Sequence, residues 1–272
     1  MKNILIVGSN GMLGHDLVKV FEKKGYNVFK AIRQDFDITI EKDVENFFEG
    51  KSFDLVINSV AYTQVDKAEE EKEMAFLVNE EGARNLARST NKRGIPIVYI
   101  STDYVFDGKR FEPNKVSDKV SPVNVYGESK LAGEIATKEA NPKHYIARTS
   151  WLYGENGNNF VDTMLELAKT RSEIKVVNDQ FSCPTWTVDL ACGIEKLFRD
   201  ASKFGVYHLC GSGQTSWYEF AKEIFRIKKL DIKVLPVTTD EFPRPATRPS
   251  MSTMDNSGLL RDWKEALRGY TG

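Results

Sequence analysis

The chain has 272 residues, of which 41% are hydrophobic and 28% charged, and its 38 Lys and Arg against 39 Asp and Glu leave a net charge of −1. That is enough chain for one large α/β domain, or for a nucleotide-binding domain with a smaller partner. The interspersed, balanced charges exclude an electrostatic nucleic-acid or membrane surface, and no apolar run is long enough to span a bilayer.

Met1-Lys2-Asn3 runs straight into the apolar strand Asn3-Ile4-Leu5-Ile6-Val7. No signal-peptide pattern precedes it, so a cytoplasmic protein is expected. A helix is predicted from Met12 to Lys24, ending near Gly25, and then a strand from about Tyr26 to Ile32. Phe53 to Asn58 reads as a third strand, the charged stretch from about Asp66 to Arg93 as helical, and Pro96 to Ser101 as a fourth strand. A helix over about Val125 to Ala140 leads to a fifth strand beginning at Tyr145. Strands built of continuous Val, Ile and Leu are buried on both faces, the mark of a parallel sheet between helices. The alternation therefore predicts a Rossmann-type, doubly wound α/β domain over residues 1–150 with right-handed crossovers.

The second half is less regular. Helices are predicted near Phe160 to Lys169, Val188 to Phe198 and Trp217 to Phe225, with a strand over Val206 to Cys210. Prolines force Phe242 through Pro249 into an extended form. Residues 151–272 are expected to form a smaller substrate-binding lobe, with parts packing back on the first domain and a cleft between the two. The cysteines Cys183, Cys192 and Cys210 fit no zinc spacing and read as free thiols of a reducing compartment. With only three histidines, no metal site is expected.

Gly8-Ser9-Asn10-Gly11-Met12-Leu13-Gly14 lies between the first strand and the first helix. Glycines at 8, 11 and 14 suit a tight turn, close approach of backbone to a pyrophosphate, and close helix–sheet packing. The helix N-terminus then offers free N–H groups and a positive dipole end to phosphates. At the end of the second strand a carboxylate would select a free ribose 2′-hydroxyl, whereas an arginine accommodates a 2′-phosphate. Here the strand ends Ala31-Ile32-Arg33, with Asp35 and Asp37 following. NADPH is therefore the expected cofactor, with NADH still open.

Tyr126 and Lys130 stand four residues apart, which on a helix places both side chains on one face. A phenol with an ordinary pKa of about 10 is a sluggish acid or base, and a nearby ammonium is expected to lower it. Thr102, after the fourth strand, can hydrogen-bond a substrate carbonyl oxygen.

With these residues on the page, the sequence resembles the extended short-chain dehydrogenase/reductases, and within them the dTDP-4-dehydrorhamnose reductases. The resemblance covers nearly the whole chain. It includes the glycine motif, Asp37-Ile38-Thr39, Val56 to Glu69, and Tyr126 to Glu134. Ile100-Ser101-Thr102-Asp103-Tyr104-Val105-Phe106-Asp107-Gly108 and Arg148-Thr149-Ser150-Trp151-Leu152-Tyr153-Gly154 are its most specific runs. Gly157 to Phe160, Val177 to Gln180, and Arg244-Pro245 with Arg248-Pro249 complete it.

The resemblance implies reduction of the C4 keto group of a 4-keto-6-deoxy sugar nucleotide, most simply dTDP-4-dehydro-L-rhamnose, for cell-surface polysaccharide precursors. It implies Tyr126 as proton donor, Lys130 as the residue that binds the nicotinamide ribose and tunes Tyr126, and Thr102 as the residue that orients the carbonyl. Cofactor contacts are implied for Gly8, Asn10, Gly11, Met12, Leu13, Arg33, Asp37, Ile38, Ser59, Val60, Ala61 and Ser101. Thr63, Val65, Tyr104 and Trp151 are implied as sugar-pocket residues. Asn159, Arg244 and Arg248 are implied for the diphosphate and nucleoside. Many relatives carry an acid where Ile32 stands here. Some have a glutamate-rich metal-binding dimer contact, for which no matching cluster is found, so no metal is expected; a homodimer is left open. A dehydratase would read T-D-E where Thr102-Asp103-Tyr104 stands, so dehydration is not expected. A sugar-nucleotide 4-epimerase, or a non-catalytic subunit like the regulatory partner of methionine adenosyltransferase, remains an alternative.

Overall fold

The computed structural model of the chain describes residues 1–272. The first half runs β1 (Asn3–Val7), α1 (Met12–Lys23), β2 (Asn27–Ala31), α2 (Glu41–Phe48) and β3 (Leu55–Asn58). After a short 3-10 turn at Lys67–Glu69, one long rod follows. It consists of α3 (Lys72–Phe76), a π-helical segment (Leu77–Glu81) and α4 (Gly82–Lys92). Then come β4 (Ile97–Thr102), α5 (Val125–Ala140) and β5 (His144–Thr149).

The second half contains β6 (Leu152–Tyr153), α6 (Phe160–Ala168), β7 (Glu173–Val177), β8 (Phe181–Ser182), β9 (Thr185–Trp186) and α7 (Thr187–Arg199). It ends with β10 (Gly205–His208), β11 (Thr215–Ser216), α8 (Trp217–Lys228), β12 (Lys233–Val237) and α9 (Trp263–Thr271). No helix is long and apolar enough to cross a membrane.

Six strands pair in parallel in the order β10-β5-β4-β3-β1-β2. The doubly wound parallel sheet expected from the strand pattern is present. Alternate residues of β1 feed opposite cores: Ile4 and Ile6 meet α1 and α7, whereas Leu5 and Val7 meet α2 and α4. All four are essentially inaccessible to water, and each fully buried aliphatic side chain contributes about 1.5–3 kcal/mol of transfer free energy. The chain leaves β1 toward β2 on one side and returns as β3 on the other. The crevice over the C-terminal ends of β1 and β3 is thus the topological switch point, where open α/β sheets bind ligands.

Residues 205–208 supply the sixth strand of this sheet, and α7 packs beside α1. The rest of the second half has its own core, in which Tyr153, Val161, Phe220, Ile224, Trp263 and Leu267 pack together. The extended segment from 242 to 249 contains no helix or strand, as its prolines dictate.

Several elements depart from the sequence reading. The stretch from 66 to 93 is not one helix but a turn followed by the interrupted rod. The helix α2, the parallel pair β7 and β12, and the helix α9 were not anticipated.

Candidate active site

The glycine loop is built by backbone proximity. Gly8 has φ of +83°, a region that disfavours a side chain, and its N–H donates to the Ala31 carbonyl at the end of β2. A Cβ on Gly14 would stand 2.0 Å from the Gly8 carbonyl oxygen, so α1 can press on the loop only with glycine there. Ser59 closes the other side, its hydroxyl donating to the Val7 carbonyl at 2.7 Å. The side chain of Asn156 donates to the Asn10 carbonyl from above. Met12 and Leu13 begin α1, where the N–H groups of the first turn lack helical acceptors.

Beside this loop lies a cavity of about 460 Å³ lined by Val7, Arg33, Asp37, Ile38, Val60 and Ala61, among others. Arg33 is exposed and pairs with Asp37 at 3.1 Å. Burial would raise the Asp37 carboxyl, but bonds from Thr39 and the charge of Arg33 outweigh it and hold it below the ordinary range. An apolar slot with a cation at its mouth, next to a glycine cradle at the switch point, fits a nicotinamide dinucleotide with a 2′-phosphate. No three His, Cys, Asp or Glu side chains converge on a point that could hold a metal ion.

The second centre forms where β4 meets α5. Asn124 caps α5 by accepting from the Gly127 N–H at 2.8 Å, and Glu69 accepts from the Val125 N–H at 3.0 Å. These caps bring Tyr126 to the mouth of β4, where its phenol lies near Thr102 and its ring meets Tyr104 edge-on at 5.7 Å. Burial pushes the Tyr126 phenol up to about 12, against the opposing pull of the nearby Thr102 hydroxyl. Lys130 is buried one turn later; its Nζ donates to the Ile100 carbonyl at 2.6 Å and lies 4.3 Å from the centre of the Tyr99 ring. Burial draws its ammonium down to about 7, with Glu134 opposing.

The spacing argument predicted a phenol lowered by the lysine. The structure shows the opposite direction, because desolvation of the phenol dominates and the ammonium is turned to the β4 backbone.

Behind Lys130, the buried Glu134 accepts from Ser101 at 2.7 Å and takes a bidentate clasp from Arg148 at 2.7 and 2.8 Å. Asn79, in the π-helical segment, bonds the Tyr62 backbone and the Ser129 hydroxyl, tying the loop after β3 to α5. Single-turn π segments recur at functional sites because the extra residue re-aims a side chain. Neither Asn79 nor the Glu134–Arg148 pair was singled out in the sequence; Glu134 and Arg148 entered only as members of the runs from Tyr126 and from Arg148.

The expected substrate residues fall into two groups. Thr63 and Val65 lie in the loop after β3, exposed and half-buried respectively, and Tyr104 faces Tyr126. Arg248 reaches this group, donating to both carboxylate oxygens of Asp66 and lying near Tyr104. Trp151 has φ of +45°, an uncommon state for a bulky residue, and stacks on Trp217 with 3.4 Å between ring centres and 9° between planes. Asn159 caps α6 and spends its amide on Gly154, Asp162 and Tyr270 within the second half. Arg244 is exposed over the Phe242 ring, within electrostatic reach of Asp66. No hydrogen bond or ion pair joins Asn159 or Arg244 to Thr102, Tyr126 or Lys130.

The family model described as "RmlD substrate binding domain" matches residues 1–271. The fold superposes on a crystal structure of a dTDP-4-dehydrorhamnose reductase from Clostridium acetobutylicum with a TM-score of 0.95 and 47% identity, covering 98% of each chain. A dTDP-4-dehydrorhamnose reductase from Bacillus anthracis, solved in complex with NADP, gives a TM-score of 0.95 at 40% identity over 99% of this chain and 98% of that one. The curated dTDP-4-dehydrorhamnose reductase of Sinorhizobium fredii is 38% identical over 97% of this chain and 95% of its own length. A family model matched from residue 1 to 271, and reductases of one name matched over nearly their whole length, place this chain in the dTDP-4-dehydrorhamnose reductase family.

Proposed function

We propose that the protein reduces the C4 keto group of a 4-keto-6-deoxy sugar nucleotide with NADPH, converting dTDP-4-dehydro-L-rhamnose to dTDP-L-rhamnose for polysaccharide precursors. The observation that carries this reading is the placement of Thr102, Tyr126 and Lys130 at the C-terminal end of β4, beside the dinucleotide cradle. The bound reduced nicotinamide supplies hydride to the sugar carbonyl carbon. Tyr126 starts as a neutral phenol at physiological pH, as a proton donor must, and gives its proton to the oxygen at C4. Lys130, packed under β4, meets the nicotinamide ribose and restores charge balance near the phenol once its proton has left. Tyr104 and Trp151 wall the sugar, while Arg248 and Arg244 meet the negative diphosphate end. Met12 and Leu13 at the α1 N-terminus, with Arg33 at the β2 tip, hold the cofactor's phosphates.

Elimination of water is not part of this chemistry. A tyrosine stands at 104, and its phenol is pushed further up by burial, so it is no base for a sugar C–H. We place the protein in the cytoplasm, where Cys183, Cys192 and Cys210 stay as free thiols. Light scattering on the purified protein decides between a monomer and a homodimer.

Tyr126→Phe tests the assignment. Turnover of dTDP-4-dehydro-L-rhamnose, followed as NADPH oxidation, should fall by on the order of a hundredfold or more while NADPH still binds. Near-normal turnover in that variant rules the assignment out. Interconversion of sugar epimers without net NADPH use in the wild type would move the protein to the epimerases.

A further inference from the structure

The glycine loop is held from two directions. At its base, the Ala31 carbonyl accepts the N–H groups of Gly8 at 2.8 Å and Ser9 at 3.1 Å, which ties the loop to β2. At its tip, the peptide linking Asn10 to Gly11 is bonded at both ends. The Gly11 N–H donates to the Gly8 carbonyl at 3.1 Å, and the Asn10 carbonyl accepts from Nδ2 of Asn156 at 3.0 Å. This last partner comes from the other half of the chain.

A planar trans peptide points its N–H and its carbonyl in opposite directions. Turning that unit over would reverse the dipole at the tip of the loop, next to the free N–H groups of Met12 and Leu13. Most residues resist such a turn because it drives the following φ positive. Gly11, with φ of −76°, does not, since glycine enters that region freely. The residue type that lets backbone approach a pyrophosphate therefore also leaves the loop free to invert. Within the first half of the chain, one hydrogen bond from Gly11 to Gly8 opposes it.

Asn156 stands on a short strap, residues 155–158, between β6 and α6. Both ends of the strap are fixed. The Gly154 carbonyl accepts from Nδ2 of Asn159 at 2.9 Å and from the Tyr270 hydroxyl at 3.2 Å, and a Cβ on Gly154 would stand 2.1 Å from Oγ1 of Thr187. At the other end Asn159 caps α6. Between these points the strap lies along α1. Glu155 pairs with Lys19 at 2.9 Å, and a Cβ on Gly157 would stand 3.4 Å from that of Met12. The ion pair is exposed on both sides and contributes little, whereas Asn156 is half-buried.

We infer that Asn156 is a positioning residue for the cofactor: reaching over from the substrate-binding half, it locks the Asn10–Gly11 peptide in the orientation that suits the pyrophosphate, and so makes retention of the dinucleotide depend on the strap. The inference rests on the reading above that Met12 and Leu13 seat the cofactor's phosphates. Asn156 carries no charge to draw the cofactor in from a distance. Its effect therefore falls on how long the cofactor stays.

The test uses the full chain with Asn156→Ala and Asn156→Asp. NADPH fluorescence gives the dissociation constant, and stopped-flow displacement gives the release rate. Adenosine 2′-phosphate, which has the 2′-phosphate but no pyrophosphate, is the control ligand. Asn156→Ala should weaken NADPH binding roughly threefold to tenfold, the scale of one hydrogen bond, mainly through faster release. Affinity for adenosine 2′-phosphate should change by no more than about twofold. Asn156→Asp keeps the shape but sets an acceptor and a negative charge against the Asn10 carbonyl and the pyrophosphate. It should weaken NADPH binding by on the order of tenfold or more at low salt, with the excess over the alanine variant shrinking as salt is raised.

Unchanged NADPH affinity in Asn156→Ala overturns the inference. So does an equal loss for NADPH and adenosine 2′-phosphate, which would mean general loosening of the domain. An aspartate variant that binds NADPH no worse than the alanine variant overturns it as well, because the strap would then lie away from the phosphates. Should the alanine variant fail to fold, the isosteric aspartate variant decides alone, against the wild type. Failure of the cofactor reading is recognised separately, as absent NADPH binding in the wild type.

Discussion

Arg248 grips both carboxylate oxygens of Asp66 across 182 residues of chain, with Nη2 2.9 Å from Oδ2. The same carboxylate accepts the Ala246 N–H, so the proline-rich segment is fastened to the loop after β3. The bonds from Arg248 hold the Asp66 carboxyl below its ordinary range. Replacing Arg248 by Met or Asp66 by Asn should each lower the unfolding free energy by about 1–3 kcal/mol, the cost of losing charge-assisted bonds at a half-buried site. The double variant should lose less than the sum. Urea titrations of the four proteins check it; strict additivity would mean that the pair does not act as a unit.

The helix bearing Tyr126 lies against the turn after β4 with no room to spare. A Cβ on Gly127 would stand 2.3 Å from the Tyr104 carbonyl oxygen. Gly127→Ala should push α5 away from Thr102 and lower turnover by on the order of a hundredfold, since displacing a reacting group by about an ångström costs that much. Stability should fall by about 1–3 kcal/mol from overpacking. Assays of turnover and urea unfolding on one preparation decide; full activity in that variant would show the contact to be soft.

Cofactor choice is predicted to hinge on Arg33. The guanidinium is exposed, paired only with the Asp37 side chain, and free to exchange that partner for a 2′-phosphate. Arg33→Ala should weaken NADPH binding by roughly 1.5–3 kcal/mol and leave NADH nearly untouched. Fluorescence titration with each cofactor measures this. A wild-type preference for NADH, or equal losses for both, contradicts it.

Acid sensitivity should trace in part to His208. Its Nδ1 donates to the Asp255 carbonyl, and burial, aided by the charge of Arg148, lowers the imidazole from 6.5 to about 4. As pH falls below 6.5 the unfolded chain takes up this proton first. The stabilisation is therefore present above pH 6.5 and is lost as pH falls through about 4, a change on the order of 3 kcal/mol. Asp103 works the other way, because its raised carboxyl favours the folded state on acidification. Comparing His208→Gln with the wild type between pH 7 and pH 4 isolates the histidine. Parallel stability curves would remove it from the account.

Much of this site was legible in the sequence. The strand, glycine loop and helix from Asn3 onward announce a dinucleotide cradle because burial on two faces and close backbone approach restrict the residue types. The four-residue step from Tyr126 to Lys130 reads directly as one helix face. The companions of Asp103 were not legible: Ser182 and Ser252 lie 79 and 149 residues away, and nothing local marks a serine as a donor to a distant carboxylate. The helix α2 escaped because its eight residues bury only Val44 and Phe48. The strand β12 contains Pro236, which argues against a strand in sequence although an edge position tolerates a missing N–H. The helix α9 did carry a pattern, in Trp263, Ala266 and Leu267, that could have been found. The direction of the Tyr126 shift was misjudged because spacing reports proximity to a charge and says nothing of desolvation.

The sixth strand of the central sheet has a consequence for how the molecule is made. A nascent chain can assemble β1 through β5 long before residues 205–208 leave the ribosome. During that interval β5 presents an unpaired row of N–H and carbonyl groups, a template for pairing with a neighbouring chain. A fragment ending at residue 150 would carry the same open edge for its whole lifetime. The nucleotide-binding half is therefore not a separable part, and attempts to express it alone should yield aggregates unless the strand from Gly205 to His208 is supplied with it.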